Sequence, residues 1–175
     1  LIENNDLEKI LPSELITTYN SFLKNKSESL EFHPSDPSDT AVIIYTSGTT
    51  GDPKGAELTH SNLGWNANLT GDLFEFNKED IVLTVLPLFH IYGQSCLMNA
   101  SIFKGLTNIL VSRFDPNLVL NEIKKNKVTV FAGVPTMFWS LCNIHKIEKN
   151  RFHKPQNKSW RIAISGGAAL PLELL

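Results

Sequence analysis

A chain of 175 residues, 42% hydrophobic and with a net charge of −2, has the length of one domain and enough apolar mass for a core. That charge leaves no basic surface for nucleic acid, so nucleic-acid partners are excluded. No apolar run is long enough for a membrane-spanning helix, and the acidic start (Glu3, Asp6, Glu8) does not read as a signal peptide.

In chain order, apolar residues at helix-like intervals from Leu7 to Leu23 predict a helix over Asp6 to Asn25, started or split by Pro12. Ser27 to Asp39 is polar, contains Pro34 and Pro37, and reads as a loop. Residues 1–39 are thus taken as a helix and linker leading into a domain over 40–175. Ala41 to Tyr45 is a β-branched apolar run, and Thr59 can cap a helix from Ser61 to about Phe74. A second strand is expected at Ile81–Leu86, a helix from His90 to Phe103, and a third strand at Leu106–Val111. Asp115 caps a helix opened by Pro116, with Leu118, Val119, Leu120 and Ile123 inward. A strand at Val128–Ala132, a helix from Pro135 to about Ile144, a basic loop over Arg151–Ser159 and a strand at Ile162–Ser165 complete the pass. Val/Ile-rich strands alternating with helices predict an α/β fold, a mostly parallel β-sheet flanked by helices. Ligands of such sheets bind beyond the carboxyl ends of the strands. The loops at 46–55, 87–93, 133–135 and 165–169 all fall at strand ends.

Cys96 and Cys142 are too isolated for a zinc site or a disulfide framework and read as buried thiols of a reducing cytoplasm. His33, His60, His145 and His153 have no partners at ligand spacing, so no protein metal site is assigned. Trp65, Trp139 and Trp160 read as packing residues.

The densest chemistry lies in Tyr45–Ala56, YTSGTTGDPKGA. Thr46, Ser47, Thr49 and Thr50 supply hydroxyls, Gly48, Gly51 and Gly55 loosen the backbone, and Lys54 supplies a cation. Glycines let backbone N–H groups approach an anion, hydroxyls donate to phosphate oxygens, and an ammonium neutralises charge. The loop is not a Walker A sequence, since Pro53 precedes Lys54 and Gly55 follows it. This weighs against a P-loop ATPase. A flexible linker is the bland alternative, opposed by the Val/Ile strand before it and the helix start after it.

YTSGTTGDPKGA resembles the signature loop of the adenylate-forming, or AMP-binding, superfamily, which includes acyl-CoA synthetases, beetle luciferases and peptide-synthetase adenylation domains. Leu86-Pro87-Leu88-Phe89-His90-Ile91-Tyr92-Gly93 resembles the family's Pro-x-x-His-x-aromatic-Gly element, and Ser165-Gly166-Gly167-Ala168 its Ser-Gly-Gly-Ala segment. The resemblance implies ATP, Mg2+ and CoA together with a small carboxylic acid as partners. It implies phosphate contacts from Thr46, Ser47, Gly48, Thr49, Thr50, Gly51 and Lys54. Thr49, Lys54 and His90 would act in catalysis, and Gly166, Gly167 and Ala168 would pack on adenine. His90, Tyr92, Cys96, Val134 and Gly166 would line the acyl pocket. Many relatives have proline where Ala169 stands. Within the superfamily the chain looks most like long-chain fatty acyl-CoA synthetases, with aryl-CoA ligases sharing the Phe-His-Ile-Tyr string. A non-catalytic nucleotide-binding module is the rival of another class. The resemblance further implies an internal piece of the large N-terminal domain. The magnesium-binding glutamate, the ribose-binding aspartate and the lysine-bearing C-terminal domain would lie outside it. Peripheral contact with a membrane surface is compatible with such an enzyme.

Overall fold

The computed structural model describes residues 24, 34–46, 51–149 and 159–174. Apart from Lys24, which is helical, the helix expected over Asp6 to Asn25, most of the loop after it, most of the Arg151–Ser159 loop and Ser47–Thr50 lie outside the described residues. The chain divides into units Leu1–Ser35 and Asp36–Leu175; the second is described here.

Thr40–Thr46 forms strand β1, as its β-branched composition dictates. It does not join the parallel sheet, as the alternation of elements had implied. It pairs antiparallel with β2, Lys54–Thr59, from Thr40↔Thr59 to Thr46↔Lys54. β2 was missed because Lys-Gly-Ala-Glu-Leu-Thr is polar and mostly exposed; pairing with β1, and not its own composition, makes it a strand. Helix α1, His60–Leu73, follows without a gap. Thr59 Oγ1 accepts from Asn62 N at 3.1 Å and Asn62 Oδ1 accepts from Thr59 N at 3.0 Å, a reciprocal capping box. The carbonyls of Asp39 and Pro37 take the N–H groups of His60 and Ser61, so the first turn's orphan donors are satisfied.

Four parallel strands make the main sheet in the order β4-β3-β5-β6: β3 Ile81–Thr84, β4 Thr107–Leu110, β5 Val130–Gly133 and β6 Ile162–Ser165. Side chains alternate between its faces. Val82, Val130 and Ala132 pack under Leu97 and Ala100 on one face; Leu83 and Phe131 pack under Val119, Ile123 and Leu141 on the other. The first face is covered in part by a π-helical segment, Tyr92–Asn99, running into the short helix α2, Ala100–Lys104. The sequence read this stretch as one helix; the structure divides it into two kinds of turn. The second face is covered by α3, Pro116–Lys125, and α4, Pro135–Lys149. Asp115 caps α3 by accepting from Leu118 N at 2.8 Å, while Val119 and Ile123 are buried and Leu118 is exposed, against expectation.

At the amino ends of three strands stands a polar clamp. Asp80, 2% exposed, receives Arg161 Nε at 2.8 Å and Arg161 Nη2 at 2.5 Å. It also receives Thr129 Oγ1 at 2.6 Å, and that oxygen in turn accepts Ile81 N at 3.0 Å. One buried carboxylate thereby ties the starts of β3, β5 and β6.

Two further expectations are corrected. Trp65 and Trp139 are not packing residues: both are exposed, because α1 and α4 turn them away from the sheet; Trp160 does pack, edge-on to Phe131 with centroids 5.7 Å apart. Cys142 is an exposed free thiol, while Cys96 is partly buried.

Candidate functional site

β3, β5 and β6 run parallel, so the segments that follow them emerge at one edge of the sheet. After β3 the chain folds back sharply. His90 N donates to the Pro87 carbonyl at 3.1 Å and Gln94 N to the His90 carbonyl at 3.0 Å. Gly93 is buried in this bend, where a β-carbon would stand 2.4 Å from the Pro87 oxygen; backbone cannot yield as a side chain can, so glycine is required. The π-helical turns begin here, a distortion that recurs where side chains are aimed at a ligand.

His90 is exposed, and its Nδ1 accepts the Tyr92 N–H at 3.1 Å. With Nδ1 used as an acceptor, Nε2 is the ring nitrogen left to carry a hydrogen and act as a donor. Tyr92 reaches across the sheet edge and donates its hydroxyl to the Ile164 carbonyl at 3.2 Å. Its ring occupies the space where Gly166 lacks a side chain: a β-carbon there would lie 2.8 Å from Tyr92 Cζ. Gly166 N donates to the Gly133 carbonyl at 3.1 Å, and Gly167, at φ +80°, faces Val134 Cγ1. Thus His90, Tyr92, Val134, Gly166 and Gly167, far apart in sequence, form one wall. Ala168 follows it, exposed. Cys96 is one turn beyond Tyr92. Burial pushes its thiol up, opposed by a hydrogen bond with Thr70. Burial pushes the Tyr92 phenol up to about 12, with a smaller contribution from Cys96. Both are therefore neutral at pH 7 and suit an apolar lining, not a nucleophilic role.

Three polar residues in or beside this wall were given no role in the sequence, although Ser165 stands in the Ser-Gly-Gly-Ala segment. Thr70 is the partner of Cys96. Thr84 Oγ1 and Ser165 Oγ, at the carboxyl ends of β3 and β6, are buried without a hydrogen-bond partner.

The phosphate-loop residues sit elsewhere in the unit, at the turn end of the β1–β2 hairpin. Thr46 and Lys54 are exposed and face each other across the ladder, with Thr46 Oγ1 donating to the Lys54 carbonyl at 3.4 Å. Gly51 adopts φ +97°, which glycine alone enters freely. Lys54 opens a strand, not the helix that a Walker lysine opens. Ser47, Gly48, Thr49 and Thr50 lie outside the described residues. The structure thus brings the predicted residues together as two groups, one at the hairpin turn and one at the sheet's carboxyl edge. Among the described residues no cluster of three His, Cys, Asp or Glu side chains could hold a metal ion.

A family model described as AMP-binding enzyme matches residues 4–175. The chain is 40% identical to a long-chain-fatty-acid–CoA ligase from Bacillus subtilis over 163 residues, covering 91% of the chain and 28% of the ligase. It is 36% identical to a feruloyl-CoA synthase from Amycolatopsis over 136 residues, covering 78% of the chain and 27% of the synthase. Among solved structures, o-succinylbenzoate coenzyme A synthetase from Bacillus subtilis in complex with AMP superposes with a TM-score of 0.79 at 32% identity. That match covers 99% of this chain and 42% of the synthetase chain. The chain thus spans little more than a quarter of the curated relatives named here.

Proposed function

Since the chain belongs to the AMP-binding enzyme family, we propose that it is the acid- and nucleotide-binding part of an ATP-dependent acid–thiol ligase. The parent protein activates a carboxylic acid as an acyl adenylate and passes the acyl group to CoA. The observation that carries this reading is the reach of Tyr92 to Gly166 and Ile164, which joins the histidine turn and the Gly-Gly turn into one wall at the sheet's carboxyl edge.

In the first half-reaction a carboxylate oxygen attacks the α-phosphorus of ATP, the bond to the β-phosphate oxygen breaks, and pyrophosphate leaves. The acid is already ionised at neutral pH, so no base is required. His90 orients the carboxylate and the adenylate phosphate through its Nε2 donor. Thr46, Ser47, Thr49, Thr50 and Lys54 disperse charge on the departing pyrophosphate, with Gly48 and Gly51 letting the backbone approach. In the second half-reaction the CoA sulfur attacks the acyl carbon and AMP leaves. Gly166, Gly167 and Ala168 give a flat base close access to the main chain, while Tyr92, Cys96, Val134 and Gly166 line the acid's pocket. A magnesium ion would add charge neutralisation, held by groups outside the described residues.

A long-chain fatty acid is the preferred substrate. The 40% identity to a fatty-acid ligase and the apolar, neutral state of Tyr92 and Cys96 support it. The 36% identity to a feruloyl-CoA synthase supports an aryl acid as second reading. No helix among the described residues is long and apolar enough to cross a membrane, and we assign the parent to the cytoplasm, with peripheral membrane contact as part of the fatty-acid reading. Pyrophosphate release by the parent protein over a panel of acids tests the proposal. Release dependent on long-chain fatty acid is expected. Release with aryl acids only would transfer the assignment to the second reading, and release with no acid in the panel would overturn both.

A further inference from the structure

A π-helical winding is rare and is mostly confined to a single turn. Tyr92–Asn99 keeps it for eight residues. The fold-back at Gly93 begins it, but the segment has no local reason to continue. Gln94 Oε1, inside it, is buried with no hydrogen-bond partner among the described residues, which costs stability. The winding is therefore held from outside.

The restraint comes from α1. The Ser95 hydroxyl donates to Asn66 Oδ1, and Thr70 hydrogen-bonds the Cys96 sulfur. Asn66 and Thr70 are four apart and share one stripe of α1, while Ser95 and Cys96 are consecutive. Ser95 is 5% exposed and Thr70 7%, and polar side chains so deeply buried are kept where they are bonded. Around Thr70 the buried residues of α1 are small, Ala67 and Gly71, so the wider π turns can lie close against it. An α winding puts fewer residues in each turn, so it would rotate Ser95 and Cys96 off these partners.

We propose that Asn66 and Thr70 are specificity-determining positioning residues: by pinning Ser95 and Cys96 to α1 they hold Tyr92–Asn99 in its π winding, and that winding sets how Tyr92 and Cys96 stand to each other across the acid. Tyr92 is fixed at its far end by its hydroxyl on the Ile164 carbonyl. With Tyr92 held, rewinding the segment moves Cys96 and changes the width of the pocket. Neither Asn66 nor Thr70 touches the acid; both act through the segment they hold. The inference rests on the reading above that Tyr92 and Cys96 line the acid's pocket.

The test uses the full-length parent protein with Asn66→Ala and Thr70→Val, separately and together, and Thr70→Ser as the conservative variant. Asn68→Ala is the control: Asn68 accepts from Lys104 Nζ of α2 at 2.9 Å, so its loss loosens the same helix pair without touching the pinned residues. A crystal structure of the double variant is expected to show i to i−4 backbone bonding over 92–99. The ratio of kcat/KM between a long and a short acid is expected to shift by about tenfold or more, the effect of a one-methylene change in an apolar pocket. KM for ATP should not move, Thr70→Ser should keep the parent's ratio, and Asn68→Ala should lower the Tm alone. If the double variant does not fold, the single variants decide by the same two readouts. A segment that stays π-wound overturns the proposal whatever the acid profile. So does a rewound segment with an unchanged profile, or an equal shift in Asn68→Ala. A parent that activates no acid would defeat the ligase reading instead, and the winding in the variants would then decide by itself whether α1 holds the segment.

Discussion

At the scale of single residues, the glycines and one lysine carry the sharpest consequences. Gly166 is glycine because Tyr92 stands over it; a methyl group there must push the ring aside and stretch the bond from its hydroxyl to the Ile164 carbonyl. Gly166→Ala in the parent protein is expected to cost about 1–3 kcal/mol, the range for overpacking. Adding Tyr92→Leu should return part of that loss, and thermal melts of the two single variants and the double read the coupling directly. Lys54 is different, since it is exposed at the hairpin turn and engages the rest of the unit through its main chain. Lys54→Ala should leave the unfolding free energy within about 0.5 kcal/mol of the parent's. It should slow adenylation roughly a hundredfold, as loss of one preorganised donor does. Pre-steady-state pyrophosphate release measures it, and unchanged rates would remove the loop from the chemistry. A candidate phosphate loop was legible in the sequence because its pattern is compositional: hydroxyl, glycine and cation in one short run. Thr84 was not, because one threonine in an apolar strand is ordinary until its hydroxyl is found buried and unpaired.

Among elements, the amino ends of the strands behave differently from their carboxyl ends. Asp80, Thr129 and Arg161 satisfy one another, and such a closed network is a structural device. Burial pushes the Asp80 carboxyl up, but the hydrogen bonds from Arg161 and Thr129 outweigh it, and the net shift is downward from 3.8. A carboxyl whose folded value is depressed adds stability above its unfolded value, and that contribution is lost as pH falls through the folded one. The clamp therefore contributes in full at neutral pH and fails in acid below 3.8. Asp80→Asn should lower stability at pH 7 by about 2 kcal/mol, less than for a fully buried pair because Arg161 remains partly in solvent. The same variant should flatten the acid limb of the stability curve, which urea titrations at several pH values would show. An acid limb as steep as that of the parent would locate the titrating group elsewhere. α1 and α3 were readable as elements because their signals are local: Thr59 as a cap, and Asp115 before Pro116. β2 and the π-helical segment were not, since one is a strand only by pairing with β1 and the other is shaped by the fold-back at Gly93.

At the scale of the whole molecule, the parallel sheet divides its labour between two faces and two edges. Phe131 is fully buried on the α3/α4 face, meeting Phe138 at 5.5 Å and Trp160 at 5.7 Å between ring centroids. Phe131→Ala should cost about 3–5 kcal/mol through lost burial and an uncollapsed cavity, while leaving the acid preference of any folded fraction unchanged. Chemical denaturation and a substrate panel on the same preparation separate the two effects. By itself the sequence determined the alternation of strand and helix, the parallel sheet and the family, and it marked short runs as candidates for phosphate and carboxylate chemistry. These depend on period, composition and motif, which are properties of neighbouring residues. Only the tertiary structure decided that the first strand forms its own hairpin, that Tyr92 closes over Gly166, and that α1 hides its small residues and shows its large ones. Those outcomes depend on which surfaces meet, and contact between residues distant in the chain is set by packing that no local pattern encodes.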